Sequence, residues 1–112
     1  MPHPGEFAVQ QEMDIQAATL LGAWVNFGTY APAGFYKEPN GIVHLVGLIK
    51  SGVIISDAFT LPVGMRPAQR EIFIVASNGG AGTVDVNTTG AVTIASGSNV
   101  YVSLSGISFR AA

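Results

Sequence analysis

The chain of 112 residues contains no cysteine. Neither a disulfide framework nor a cysteine-ligated metal can therefore stabilise it. Charge is also scarce, because charged residues make up 11% of the chain, against roughly a quarter in typical soluble domains. Hydrophobic residues make up 48%, so little charge is left to cover the surface of a monomer. Two explanations stay open: a surface built from Ser, Thr, Asn and Gly, or apolar faces buried between identical subunits.

Basic residues are few and scattered, and the net charge is −2. Nucleic-acid binding needs clustered Lys and Arg, so we expect no nucleic-acid partner. The longest apolar stretch, residues 42–55, is interrupted by His44 and Lys50 and is too short to span a bilayer. We therefore expect no membrane insertion. The first residues also lack the cationic and apolar regions of a secretory signal.

Groups that could perform catalysis are rare and dispersed. His3 lies in a proline-flanked segment, and His44 lies within a predicted strand. The acids fall in separate turns or strands without metal-ligand spacing, and the glycine-rich residues 78–82 lack the lysine and the helix of a phosphate-binding loop. The sequence therefore predicts no enzyme, no metal and no cofactor.

Short β-rich segments separated by Gly, Pro and Asn dominate the chain from residue 20 onward. The length suits one domain, and the predicted strands are 23–30, 34–38, 41–50, 53–60, 70–77, 82–87, 91–95 and 99–109, the last broken near Gly106. Their spacing, without helical periodicity, predicts an all-β fold, a small antiparallel Greek-key-like barrel or sandwich. Asn40 and Gly41 suit a type I′ hairpin turn, which makes strands 34–38 and 41–50 antiparallel neighbours.

The first eighteen residues differ from the rest. Val9, Met13, Ala17 and Leu20 have helix-like spacing ahead of Gly22, so a short helix or stalk fragment and a linker are both open. We assign residues 1–18 to a linker or stalk remnant and residues 19–112 to a β head domain.

Alternation along the strands predicts which faces are buried. Val84, Val86, Val92 and Ile94 share one apolar face, with Asp85 on the other. Residues 72–76 and 53–55 are apolar on both faces. The second face of these strands is therefore predicted to contact another subunit.

Four segments together resemble the C-terminal tip domains of tailed-bacteriophage fibres and baseplate receptor-binding proteins: WVNFG at residues 24–28, GFYKEPNGIVHLVG at 34–47, LPVGMRP at 61–67 and VSLSGISF at 102–109. One departure is Met65, where the family pattern leads us to expect an aromatic residue. The resemblance implies a homotrimer on the virion, at the distal tail or baseplate, that binds a host cell-surface saccharide. The alternative is a structural cap that trimerises a fibre or collagen-like stalk and binds no ligand.

Binding residues usually lie on loops held by a rigid scaffold. The predicted ligand-binding residues are therefore polar and aromatic side chains near turns, namely Tyr36, Arg66, Asn78, Asp85 and Asn87. Trp24 is assigned to the core or to a subunit interface, and both Trp24 and His44 are candidates for subunit-boundary contacts. Tyr30, Tyr36 and Tyr101 are placed to present a ring with its hydroxyl to water, whereas Phe27 is assigned to packing.

Overall fold

The computed structural model describes residues 14–112, which form eleven β-strands and no helix. The strands are β1 (Gln16–Ala17), β2 (Val25–Asn26), β3 (Gly34–Lys37), β4 (Ile42–Val46), β5 (Leu48–Lys50), β6 (Ser56–Thr60), β7 (Glu71–Ser77), β8 (Gly80–Val86), β9 (Ala91–Ser96), β10 (Val102–Ser103) and β11 (Ser108–Arg110). The predicted all-β class is confirmed. None of the described residues forms a helix long and apolar enough to cross a membrane.

The strands form three antiparallel sheets. Sheet A has the order β1-β3-β4-β11, sheet B the order β10-β5-β2, and sheet C the order β6-β9-β8-β7. In sheet C, β7, β8 and β9 follow one another as hairpins, and β6 lies beside β9. This is a Greek-key order, as the sequence predicts.

Residues from all three sheets form one core. Phe35 of sheet A is stacked on Phe59 of sheet C, with ring centroids 6.1 Å apart, and Phe73 of sheet C contacts Phe109 of sheet A. Sheets A and C therefore pack face to face. Ile49 and Val102 add the buried side of sheet B to the same cluster.

Most predicted strands are present, but the segment 41–50 is divided at Gly47. This glycine has a φ of 114°, and a Cβ there would lie 2.6 Å from backbone atoms of Ala33. At Gly47 the chain passes from β4, which belongs to sheet A, to β5, which belongs to sheet B. The close approach at this point admits only glycine.

The helix considered for residues 9–20 is wrong over its described part. Gln16 and Ala17 form β1, which pairs with β3, and the amide of Ala18 donates to the carbonyl of Ala33. Main-chain pairing with an exposed sheet edge outweighs the weak helical spacing of a few apolar side chains. Val9 and Met13 lie outside the described residues, and the boundary at residue 18 stays a prediction.

The hairpin between β3 and β4 is confirmed, but its predicted turn type is wrong. Gly41 has a φ of 92°, whereas Asn40 does not adopt a positive φ, which a type I′ turn requires of both residues. The amide of Gly41 donates to the carbonyl of Glu38, and the amide of Glu38 to the carbonyl of Ile42. This is the pattern of a three-residue loop that ends in a left-handed glycine.

The predicted alternation is confirmed for the apolar face of sheet C, where Val84, Val86, Val92 and Ile94 are all fully buried. The other face of β7 differs from an ordinary surface, because Ile72 and Ile74 are 68% and 81% exposed. This strand is also the edge of its sheet. Sheet C therefore presents apolar side chains on its edge strand.

Candidate functional site

The candidate site lies on the outer face of sheet B. Successive side chains of a strand point to opposite faces, and Ile49 of β5 is fully buried. Its neighbours Leu48 and Lys50 therefore point outward. Ser103 of β10 is opposite Leu48, and Val25 of β2 is opposite Lys50, so these residues share the same outer face.

A pocket of about 390 Å³ opens on this face. Its lining includes three aromatic residues, one leucine and two serines: Phe27, Tyr30, Tyr101, Leu48, Ser103 and Ser105. We call it the aromatic pocket. Ligand sites are typically concave, with apolar walls and a few placed polar groups, and this pocket has that character.

The three rings support one another. Phe27 contacts Tyr30 edge-to-face with centroids 5.5 Å apart, and it contacts Tyr101 in the same way at 6.3 Å. Such pairs contribute about 0.5–1.5 kcal/mol each beyond the area that they bury. The wall of the pocket is therefore held in place before any ligand arrives.

Local backbone geometry presents Tyr30 to solvent. Gly28 and Thr29 both have positive φ, at 84° and 57°, and the amide of Tyr30 donates to the carbonyl of Gly28. This tight reversal after β2 projects the Tyr30 ring outward, where it is 64% exposed. The amide of Leu48 donates to the carbonyl of Ala31 and anchors the far end of the reversal to β5.

Two of the hydroxyls at the pocket, those of Tyr101 and Ser105, accept hydrogen bonds from the backbone. The Tyr101 hydroxyl accepts from the amide of Gly79 at 2.8 Å, and the Ser105 hydroxyl accepts from the amide of Gly47 at 3.0 Å. Each hydroxyl retains its own hydrogen as a donor. The pocket therefore offers hydrogen-bond donors to a ligand.

One of the predicted site residues lies close to this pocket. Asn78 and Gly79 have positive φ, at 46° and 77°, and form the two-residue turn between Ser77 and Gly80. This is the type I′ arrangement. Because the Gly79 amide binds the Tyr101 hydroxyl, the turn that carries exposed Asn78 borders the aromatic pocket.

Asp85 and Asn87 lie on sheet C instead. The expectation that Asp85 is exposed is wrong, since the residue is 4% exposed and its carboxylate accepts two hydrogen bonds from Arg70. Asn87 donates to the carbonyl of Ala91 and to the hydroxyl of Thr93. Alternation predicts which face of the strand Asp85 is on, but it does not predict that the side chain of Arg70 covers the Asp85 carboxylate.

Arg66 also has a structural contact, since its Nε donates to the carbonyl of Leu61 at 2.9 Å. Tyr36 stacks on His44 on sheet A, with centroids 4.8 Å apart, and Nε2 of His44 lies 2.9 Å from Oε2 of Glu38. The structure thus places the five predicted residues on different surfaces. Their roles in ligand binding stay predictions.

The structure favours the core position of Trp24 over a contact with another subunit. This residue is 2% exposed, and its indole N–H donates to the Ser56 hydroxyl at 2.9 Å. Its ring also lies against Gly52. Trp24 is a core residue of its own chain, whereas half-buried His44 stays a candidate for a boundary contact.

The residue pattern does not predict the pocket as a unit. It predicts that Tyr30 and Tyr101 present their rings to water, but it assigns Phe27 to packing and gives no role to Ser103 and Ser105. Strand register brings these residues together. Phe27 lies beside Leu48, and Ser103 lies opposite Leu48. That register depends on the division of the chain at Gly47.

No family model and no curated protein matches the sequence. Among solved structures, the fold is similar to that of the receptor binding protein (gp15) of Listeria phage PSA, with a TM-score of 0.73 and 16% sequence identity. The similarity covers 96% of this chain and 71% of the phage chain. At this identity the similarity concerns the fold. The resemblance predicted from the sequence is therefore confirmed at that level: the chain has the fold of a phage receptor-binding protein.

Proposed function

We propose that this domain is a receptor-binding domain at the distal tail or baseplate of a tailed bacteriophage, that it binds a host cell-surface saccharide, and that it is not an enzyme. The observation that carries the proposal is the aromatic pocket on a fold similar to that of a phage receptor binding protein. A cap with a purely structural role has no need of an exposed ring beside hydrogen-bond donors.

The pocket has the chemistry that a sugar ring requires. The C–H face of a pyranose packs on an aromatic ring, and the exposed ring of Tyr30 offers such a surface. The hydroxyls of Tyr101, Ser103 and Ser105 lie at the same pocket and can bind sugar oxygens. One concave surface thus offers both an aromatic ring for stacking of a sugar and hydroxyls for hydrogen bonds to it.

We further propose that the domain works as a homotrimer. Exposed Ile72 and Ile74 on the edge strand of sheet C, together with the low charge of the chain, favour burial of this face between subunits. A single site with a Kd of about 1 mM contributes only about 4 kcal/mol. Linked copies raise avidity by factors of about 10²–10⁴, so a weak pocket suffices for adsorption.

Replacement of Tyr30 by alanine tests the site. We expect Tyr30→Ala to weaken binding of the purified domain to host cells or to an array-identified glycan by about tenfold or more, the scale of an aromatic hot-spot residue. Because the ring is largely exposed, the melting temperature should hardly change. Binding is measured by titration of labelled domain.

Tyr36→Ala is the matched control, because this half-buried tyrosine lies on sheet A, outside the pocket. The proposal predicts unchanged binding for it. Weaker binding by Tyr36→Ala, with wild-type binding by Tyr30→Ala, would move the site to sheet A. If the unmutated domain binds neither cells nor glycans, the alternative of a trimerising cap replaces the proposal.

A further inference from the structure

We infer that the aromatic pocket selects a saccharide with an acidic substituent, a carboxylate or a phosphate, and that Lys50 is the residue that recognises this group. The inference rests on the proposed function and names the ligand chemistry of the same site. Three observations support it: the position of the Lys50 ammonium, the donor character of the pocket, and the location of the acidic side chains.

Lys50 lies beside the pocket: it is not itself a lining residue, but it contacts one. Its side chain is on the same face of β5 as that of Leu48, which lines the pocket. Its Nζ lies 5.2 Å from the centroid of the Phe27 ring, within the range of a cation–π contact. Phe27 thus holds a positive charge at the wall of the pocket.

The cation–π contact leaves the ammonium able to bind an anion. It uses the charge of Lys50 but none of its three N–H donors. In residues 14–112 the Glu38 carboxylate contacts the His44 ring and the Asp85 carboxylate pairs with Arg70, so neither contact involves Lys50. An acidic group of a ligand can therefore accept hydrogen bonds from Nζ.

The remaining polar groups of the pocket also favour an anion. The hydroxyls of Tyr101 and Ser105 already accept backbone N–H groups, so each has its hydrogen left to donate. The best partner for several convergent donors is an acceptor with many lone pairs, such as a carboxylate or phosphate.

Acidic side chains do not line this pocket. The pocket lining contains no Asp or Glu among the described residues. Asp57, Glu71 and Asp85 belong to strands of sheet C, and Glu38 follows β3 of sheet A. Lys50 is thus a charged side chain in contact with a residue of the pocket lining.

Matched glycans test the inference. The intact domain is titrated with a uronic-acid oligosaccharide, with its neutral hexose counterpart, and with a phosphorylated and an unphosphorylated form of one oligosaccharide. We expect at least one acidic probe to bind about tenfold more tightly than its neutral counterpart, with the preference reduced at high salt. The carboxylate and phosphate pairs distinguish the two sources of the anion.

Variants of Lys50 then test whether this residue causes the preference for acidic over neutral glycans. Lys50→Gln should bind the acidic probe no more tightly than the neutral one, and Lys50→Arg should keep the preference because it keeps the charge. The inference is overturned if no acidic probe exceeds its neutral counterpart, or if Lys50→Gln retains the preference. Neutral-sugar binding that Tyr30→Ala weakens would still support the proposed function, so the two failures are distinguishable.

Discussion

Gly52→Ala is expected to lower the free energy of unfolding by about 3 kcal/mol, the upper part of the usual range for overpacking. A Cβ at this position would overlap with the indole atoms Cδ2, Cε2 and Cγ of Trp24. The ring cannot swing away at low cost, because it is buried and its N–H is bonded to Ser56. Equilibrium unfolding in urea measures the loss as a lower midpoint.

Gly80→Ala is the matched control for this substitution. A Cβ at Gly80 would have its nearest neighbour at 3.7 Å, which is ordinary contact, and the residue does not have a positive φ. Its unfolding free energy should therefore stay within about 0.5 kcal/mol of wild type. Equal midpoints for the two variants would contradict the close packing of Trp24 against the loop after β5.

Ile74→Asp is expected to convert the proposed trimer into monomers while the fold is retained. Ile74 is 81% exposed within its own chain, so a charge there costs little in a monomer. At a subunit contact the same carboxylate would be buried without a partner, at a cost of several kcal/mol. Light scattering at micromolar concentration should give three times 11.6 kDa for wild type and 11.6 kDa for the variant.

Val63→Asp is the corresponding control, because Val63 is also exposed but lies in the turn between β6 and β7, outside the β7 face. It should remain trimeric. A wild-type mass of 11.6 kDa would contradict the trimer outright. Dissociation by both variants would mean that β7 has no special part in assembly.

The sheet structure could be predicted from local chemistry. The alternating Val and Ile residues of β8 and β9 act within a few positions of one another, and so do turn residues such as Asn78 and Gly79. The structure shows the buried face and the turn that these residues predict. The type I′ turn was expected at Asn40 instead. Asn40-Gly41 and Asn78-Gly79 both tolerate positive φ. They differ in the length of the loop that contains them, and strand pairing determines that length.

The site could not be predicted in the same way, because contacts distant in sequence define it. The hydrogen bond from Gly79 to Tyr101 joins residues 22 positions apart, and that from Gly47 to Ser105 joins residues 58 apart. Burial of Asp85 also depends on a distant residue. Alternation places its carboxylate on the outer face of β8, but Arg70, 15 positions earlier, covers it. Residue type and spacing contain no record of such pairings.

The central claim is that a host saccharide binds in the aromatic pocket of sheet B. A crystal structure of the domain with a glycan that it binds on an array tests this most directly. The account predicts electron density for a sugar ring against Tyr30, with an acidic group within hydrogen-bond distance of Nζ of Lys50. Density for the glycan on sheet A beside Tyr36 and His44, or on sheet C beside Asn87, with the aromatic pocket empty, would contradict it.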